Sequence, residues 1–281
     1  MTTRGLAEIA PAHSDSDLER YLGFTFEHLA TDGVVVRIAP NPAARADGRE
    51  NQVDERALVA VADHCMGVAI YAALDQKAPL ATVDLKFERI RPLADGDVFL
   101  RATAFVTGSQ LAFVSAWVDH GDSAVPIGHI SARFIIGAWP GGGASEFPPA
   151  LKNEIDMAGI DNFAGFAGLP AGASASSRFA LAPLERTVGA RAVPAFHGGV
   201  VAGALMTAAT TMAHEMRGSD IIRVNSAFDY LRVALATAPL DVHAECVSSG
   251  RKTMRIKATA HQGEAQRPVA QALLLFEIGS R

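Results

Sequence analysis

Two short stretches carry the residues whose types and spacing could do chemistry. The first is ALVAVADHCMG, residues 57–67, where Asp63 and His64 are the only strongly polar side chains between Ala57 and Leu74. A helix apolar nearly all round is expected to be buried, and burying an unpaired carboxylate costs several kcal/mol. Asp63 therefore reads in one of two ways. It is paired with an arginine at the edge of the buried face, or it is a general base or nucleophile held in a dry cleft.

The second stretch is VPAFHGGVVAGALM, residues 193–206. Glycine costs about 1 kcal/mol relative to alanine inside a helix, so Gly198 and Gly199 at a helix start need a reason. Close helix packing is one. The other is chemical: the first amides of a helix lack intrahelical acceptors and carry the positive end of the macrodipole. A bare N–H there, unshielded by a side chain, can hold a developing oxyanion. His197, just ahead, is read as shaping this turn.

The elements that position these residues come as a repeat. Val83, Asp84, Phe87 and Arg91 fall on Val224, Asn225, Phe228 and Arg232, and a nearly constant offset holds along both halves. Each half reads as a short strand (Val34–Ala39; Arg178–Ala182) and then a long apolar helix (Glu55–Leu74; Gly198–His214). Strands with period-2 stretches follow. In the first half these are Thr82–Ile90, Val98–Val106, Leu111–Asp119 and Gly128–Ile136. In the second they are Val224–Leu231, Leu240–Val247, Thr253–His261 and Val269–Ile278. One long helix against hairpin-connected strands predicts an α+β fold, an antiparallel sheet curled around a central helix, made twice. The units are expected at residues 21–137 and 178–281. The Gly-, Pro-, Ala- and Ser-rich segment 138–177 is read as a linker with one helical turn near Asn153–Met157.

Under the repeat, His197, Gly198 and Met206 fall on Asp54, Glu55 and Asp63. The first half has a carboxylate and no glycines, and the second has glycines and no carboxylate. Nine residues along one helix span about 13 Å, too far for both ends to serve one carbonyl group. Antiparallel helices related by a two-fold axis would bring Asp63 to Gly198, and Met206 to Glu55 with Arg56 beside it. Only the first pairing has the parts.

Composition narrows the rest. A net charge of −5 gives no basic surface for nucleic acid. Two cysteines do not make a disulfide framework. No signal-peptide pattern is read at the N-terminus, and the apolar helices read as too polar-interrupted or too glycine-rich and short to span a bilayer. A cytoplasmic protein without membrane or nucleic-acid partners is expected.

The motifs HGGVVAGALM, ALVAVADHCMG and TVDLKF (from Thr82) resemble the hotdog-fold acyl-CoA thioesterases, in particular the PaaI-like group, here as a tandem double hotdog. The resemblance covers roughly Gly33–Ile136 and Arg178–Ile278. It implies thioester hydrolysis at an interface between two hotdog units, with no metal and no cofactor, coenzyme A being part of the substrate. Asp63 matches the carboxylate that activates water or attacks the thioester. Gly198 matches the oxyanion donor, with Gly199 beside it and His197 shaping the turn. Thr82 matches a hydroxyl that orients water, although it shares strand parity with Asp84 and Lys86 and also reads as a strand-end residue. Arg251 and Lys252 match cations near coenzyme A phosphates, and also read as solvated surface. Arg191 stands where the family has Asn or Gln. His64 and His129 are expected to be structural and a minor polar group near the cleft, respectively. The alternatives are a non-catalytic acyl-CoA-binding hotdog protein and a hotdog dehydratase, the latter lacking that group's Asp-x-x-x-x-His pattern. Homo-oligomers of double-hotdog chains are a further expectation.

Overall fold

The computed structural model describes residues 17–74, 80–107, 110–137, 157–189, 194–218, 220–263 and 266–279. The first half runs α1 (Asp17–Leu22), β1 (Phe24–Ala30), β2 (Gly33–Ile38), α2 (Glu55–Leu74), β3 (Leu80–Arg89), β4 (Val98–Thr107), β5 (Leu111–Asp119) and β6 (Gly128–Ile136). A short helix α3 (Phe163–Ala167) precedes the second half. That half runs β7 (Arg178–Leu181), α4 (Gly198–Arg217), β8 (Ile221–Tyr230), β9 (Leu240–Ser249), β10 (Thr253–Gln262) and β11 (Arg267–Ile278). The strands form one eleven-stranded antiparallel sheet in the order β1-β2-β4-β5-β6-β3-β8-β11-β10-β9-β7.

The two halves meet at β3 and β8, where Lys86 lies opposite Ala227 and Phe87 opposite Ser226. Lys86 and Ala227 are also repeat counterparts, since 227 − 86 gives the offset of 141. A pseudo-two-fold axis therefore passes between these strands. The α+β fold expected from the repeat, as the double hotdog that the resemblance implies, is the architecture found, with a strand β1 beyond the expectation hairpinned onto β2.

Helices α2 and α4 lie antiparallel inside the curl of the sheet. Gly198 neighbours Asp63, Gly199 neighbours Ala60 and Gly203 neighbours Arg56, so numbers rise on one helix as they fall on the other. Contact is close because the facing residues are small: a Cβ on Gly199 would sit 2.3 Å from the Ala60 Cα. By length and hydropathy α2 could cross a membrane, contrary to the expectation that polar residues rule this out. What fixes its place here is burial, since 78% of that window is covered by the rest of the chain.

Residues 157–177 of the expected linker do more than connect. Asn162 caps α3 by accepting from the Gly165 N–H at 2.7 Å, and Phe163 and Phe166 are fully buried. The Phe163 ring lies over Gly203 of α4, 3.1 Å from where a Cβ would be. Most of the turn expected near Asn153–Met157 lies outside the described residues. Cys65 is buried and Cys246 exposed.

Candidate active site

The helix starts are built alike in the two halves. The Asp54 carboxylate accepts the Arg56 N–H at 2.7 Å, and His197 Nδ1 accepts the Gly199 N–H at 3.0 Å. Both are N-caps, each satisfying one orphan amide of the first turn. Burial holds His197 below its ordinary pKa, against the pull of the Asp63 charge. The neutral ring keeps the lone pair that the cap needs. Nδ1 also lies 3.7 Å from Asp63 Oδ2. That distance is too long for a hydrogen bond, and the lone pair is already used by Gly199, so this contact is not an ion pair.

The two glycines then divide. Gly199 is buried against Ala60 and its N–H is taken by His197. Gly198 is only partly buried, and its N–H has no acceptor among the described residues. A Cβ at Gly198 would lie 2.7 Å from Asp63 Oδ2 and 3.5 Å from the ring of Tyr230. The packing reading therefore fits Gly199, and Gly198 is the open position.

Asp63 is 6% exposed and no arginine pairs with it among the described residues. Its Oδ1 accepts from the Thr82 hydroxyl at 2.8 Å, leaving Oδ2 over Gly198. Simple strand parity would place Thr82 on the outer face with Asp84. A bulge at Val83 corrects that reading: Thr82 lies opposite the buried Phe134, whereas Asp84 lies opposite the exposed Arg133. The extra residue turns Thr82 inward, as bulges beside sites commonly do. The second half repeats the device at Val224, with Arg223 opposite the buried Phe276.

The pseudo-equivalent cleft holds different chemistry. Arg223 contacts Glu55, Arg89 donates to Glu55 at 2.8 Å, and all three side chains are 12–18% exposed. Arg223 also reaches the Thr210 hydroxyl at 3.2 Å. Met206, the counterpart of Asp63, is fully buried. Arg56 turns away to Asp54, Asp47 and Thr207. Burial opposes its charge, but the two aspartates hold it more firmly protonated than usual.

Tyr230 was not foreseen. At the end of β8 its hydroxyl donates to the Gly198 carbonyl at 3.0 Å. Its repeat counterpart is Arg89 (230 − 141), and that polar-for-aromatic exchange at a strand end was the available signal. Arg251 and Lys252 are exposed in the β9–β10 turn, which Arg217, the last residue of α4, holds by donating to the Ser249 hydroxyl and the Gly250 carbonyl. Nineteen residues of helix, about 28 Å, separate Arg217 from Gly198, so the structure does not bring these two cations to Asp63. His129 pairs with Ser115 at 2.8 Å beside the exposed Trp117, on the outer face of the sheet and away from the cleft. The His64 ring packs 5.6 Å from Phe24. Arg191 lies outside the described residues. Among the described residues no group of three His, Cys, Asp or Glu side chains is placed to hold a metal ion.

Residues 189–277 match the family model of the acyl-CoA thioesterase N-terminal domain. No curated protein matches the sequence. Among solved structures, a proposed oleoyl thioesterase from Lactobacillus plantarum superposes at TM-score 0.60 and 9% identity, over 88% of this chain and 96% of that one. A proposed thioesterase II from Thermobifida fusca superposes at 0.57 and 12% identity, over 94% and 100%. A proposed thioesterase from Novosphingobium aromaticivorans gives 0.54 and 12%, over 91% and 100%. These identities speak for the fold. The chain is a double hotdog, and its second half is similar to the acyl-CoA thioesterase N-terminal domain.

Proposed function

We propose that the chain hydrolyses acyl-CoA thioesters at one composite site, built from Asp63 and Thr82 of the first half and Gly198 of the second. The observation that carries this is a buried carboxylate that, among the described residues, has no cationic partner, facing a helix-start amide that has no acceptor among them. A carboxylate and an oxyanion donor on opposite sides of one small gap are what acyl transfer from a thioester requires. The thioester oxygen takes the Gly198 N–H, which stabilises the charge that develops on it. Oδ2 of Asp63 activates water by taking its proton, or attacks the carbonyl carbon itself. The C–S bond then breaks and coenzyme A leaves as a thiolate, giving the free acid directly on the water route, or an acyl–Asp63 anhydride that a water molecule then hydrolyses to the free acid when Asp63 attacks. Thr82 holds Oδ1, so the reactive oxygen keeps its direction.

The second cleft is read as inactive. Where a substrate oxygen would need a donor, it has the Glu55 carboxylate between Arg89 and Arg223. The resemblance of the HGG and Asp elements supports a PaaI-like arrangement, with the carboxylate in the first half and the glycines in the second. The test is release of free coenzyme A thiol from a panel of short, medium, long and aryl acyl-CoAs, by wild type and by Asp63→Asn. The proposal expects turnover in the first and its loss in the second. No turnover on the whole panel would favour the non-catalytic acyl-CoA-binding reading.

A further inference from the structure

Glycine gives a helix start room for a substrate but leaves its backbone loose. An oxyanion donor works only if its N–H is already aimed before reaction. The peptide unit between Gly198 and Gly199 is held at both ends. Its N–H goes to His197 Nδ1 at 3.0 Å, and its carbonyl accepts from the Tyr230 hydroxyl at 3.0 Å. The unit before it is held by the Val200 and Val201 amides, which donate to the His197 carbonyl at 3.0 and 3.1 Å. Of these restraints, only the one from Tyr230 comes from outside the helix and its cap.

We propose that Tyr230 is a positioning residue, which pins the Gly198–Gly199 peptide to the end of β8 and so aims the Gly198 N–H across the gap at Asp63. The role rests on the hydrolase reading of this site. Tyr230 suits it because its strand is fixed on both sides, by β3 and by β11. Burial and the nearby Asp63 charge push the phenol well above its ordinary pKa, so it stays a donor at neutral pH. The inactive cleft lacks the device: Arg89, in the corresponding place, reaches the Glu55 side chain and not a backbone carbonyl.

The test is Tyr230→Phe, which keeps the ring and removes the donor. Loss of one neutral hydrogen bond should lower kcat about 3- to 10-fold, with KM within about twofold, because the aim of the donor matters most in the transition state. Hydrogen exchange at the Gly199 amide, read by NMR, should quicken in the variant by a similar factor. Unchanged Gly199 exchange, or a raised KM with unchanged kcat, overturns the proposal. Should wild type cleave no thioester, the hydrolase reading fails, and the exchange measurement still decides whether Tyr230 pins the peptide.

Discussion

Adding one methyl group at each of two adjacent glycines should give opposite outcomes. In Gly198→Ala the new Cβ meets Asp63 Oδ2 at 2.7 Å and the Tyr230 ring at 3.5 Å. The near atom is the end of a side chain, so the carboxylate swings aside and breaks its 2.8 Å bond from Thr82. Folding loses that bond, about 1.5–3 kcal/mol, of which alanine recovers roughly 0.5–1 kcal/mol through helix propensity. Catalysis loses the open approach to the N–H, worth on the order of 10²- to 10³-fold in kcat. In Gly199→Ala the Cβ meets Ala60 Cα at 2.3 Å and its carbonyl carbon at 3.1 Å. Backbone cannot swing aside, so α2 and α4 must part, an overpacking cost of about 1–3 kcal/mol or more. At roughly 2–4 °C per kcal/mol for a chain of this size, Tm should fall by several degrees. Thiol release from the best acyl-CoA and a thermal melt measure both effects. Wild-type turnover in Gly198→Ala, or a Gly199→Ala protein as stable as wild type, refutes the division of labour. Gly198→Pro is the less clean probe, since proline brings the same Cβ towards Asp63.

Thr82→Val removes the donor to a carboxylate at nearly constant volume. A hydrogen bond to a charged group is worth about 1.5–3 kcal/mol, so kcat should fall about 10- to 100-fold, and an unchanged kcat would return Thr82 to a strand-end role. Because burial lowers the His197 pKa from 6.5, the unfolded chain binds a proton that the native chain refuses. Stability is then level above about pH 7 and falls as pH drops below about 6.5. His214 and His243 shift the same way, so melts of wild type and His197→Asn are compared across pH 5–8, and equal slopes would count against the neutral cap. Glu55→Ala leaves Arg89 and Arg223 without their shared partner. Urea unfolding should show a loss of about 3–5 kcal/mol, whereas a loss under about 1 kcal/mol would mean the triad is not a buried network.

Much of the site was legible because it follows from helix geometry. A nine-residue spacing too long for one carbonyl, in a chain that repeats, forces Asp63 towards Gly198, and the antiparallel helices show that approach. What parity could not show was the bulge at Val83, because a bulge depends on how two strands pair and not on residue types along one of them. Tyr230 was hidden for a related reason: an aromatic at a strand end reads as core until the carbonyl it meets is known. The buried α3 was masked by composition, since FAGFA sits among Gly and Ala and its two phenylalanines find their pocket only in the folded protein. The pairing of Met206 with Glu55 was legible as one without the parts, but the joining of Glu55 with Arg89 and Arg223 into one triad was not.

The central claim is a single composite site per chain, and titration calorimetry with a non-hydrolysable acyl-CoA tests it most directly. The Glu55–Arg89–Arg223 triad stands at the pseudo-equivalent position, so the account predicts one ligand per chain, with binding lost when Gly198 is replaced by leucine. Two equal sites per chain, or one site that survives Gly198→Leu intact, would contradict it.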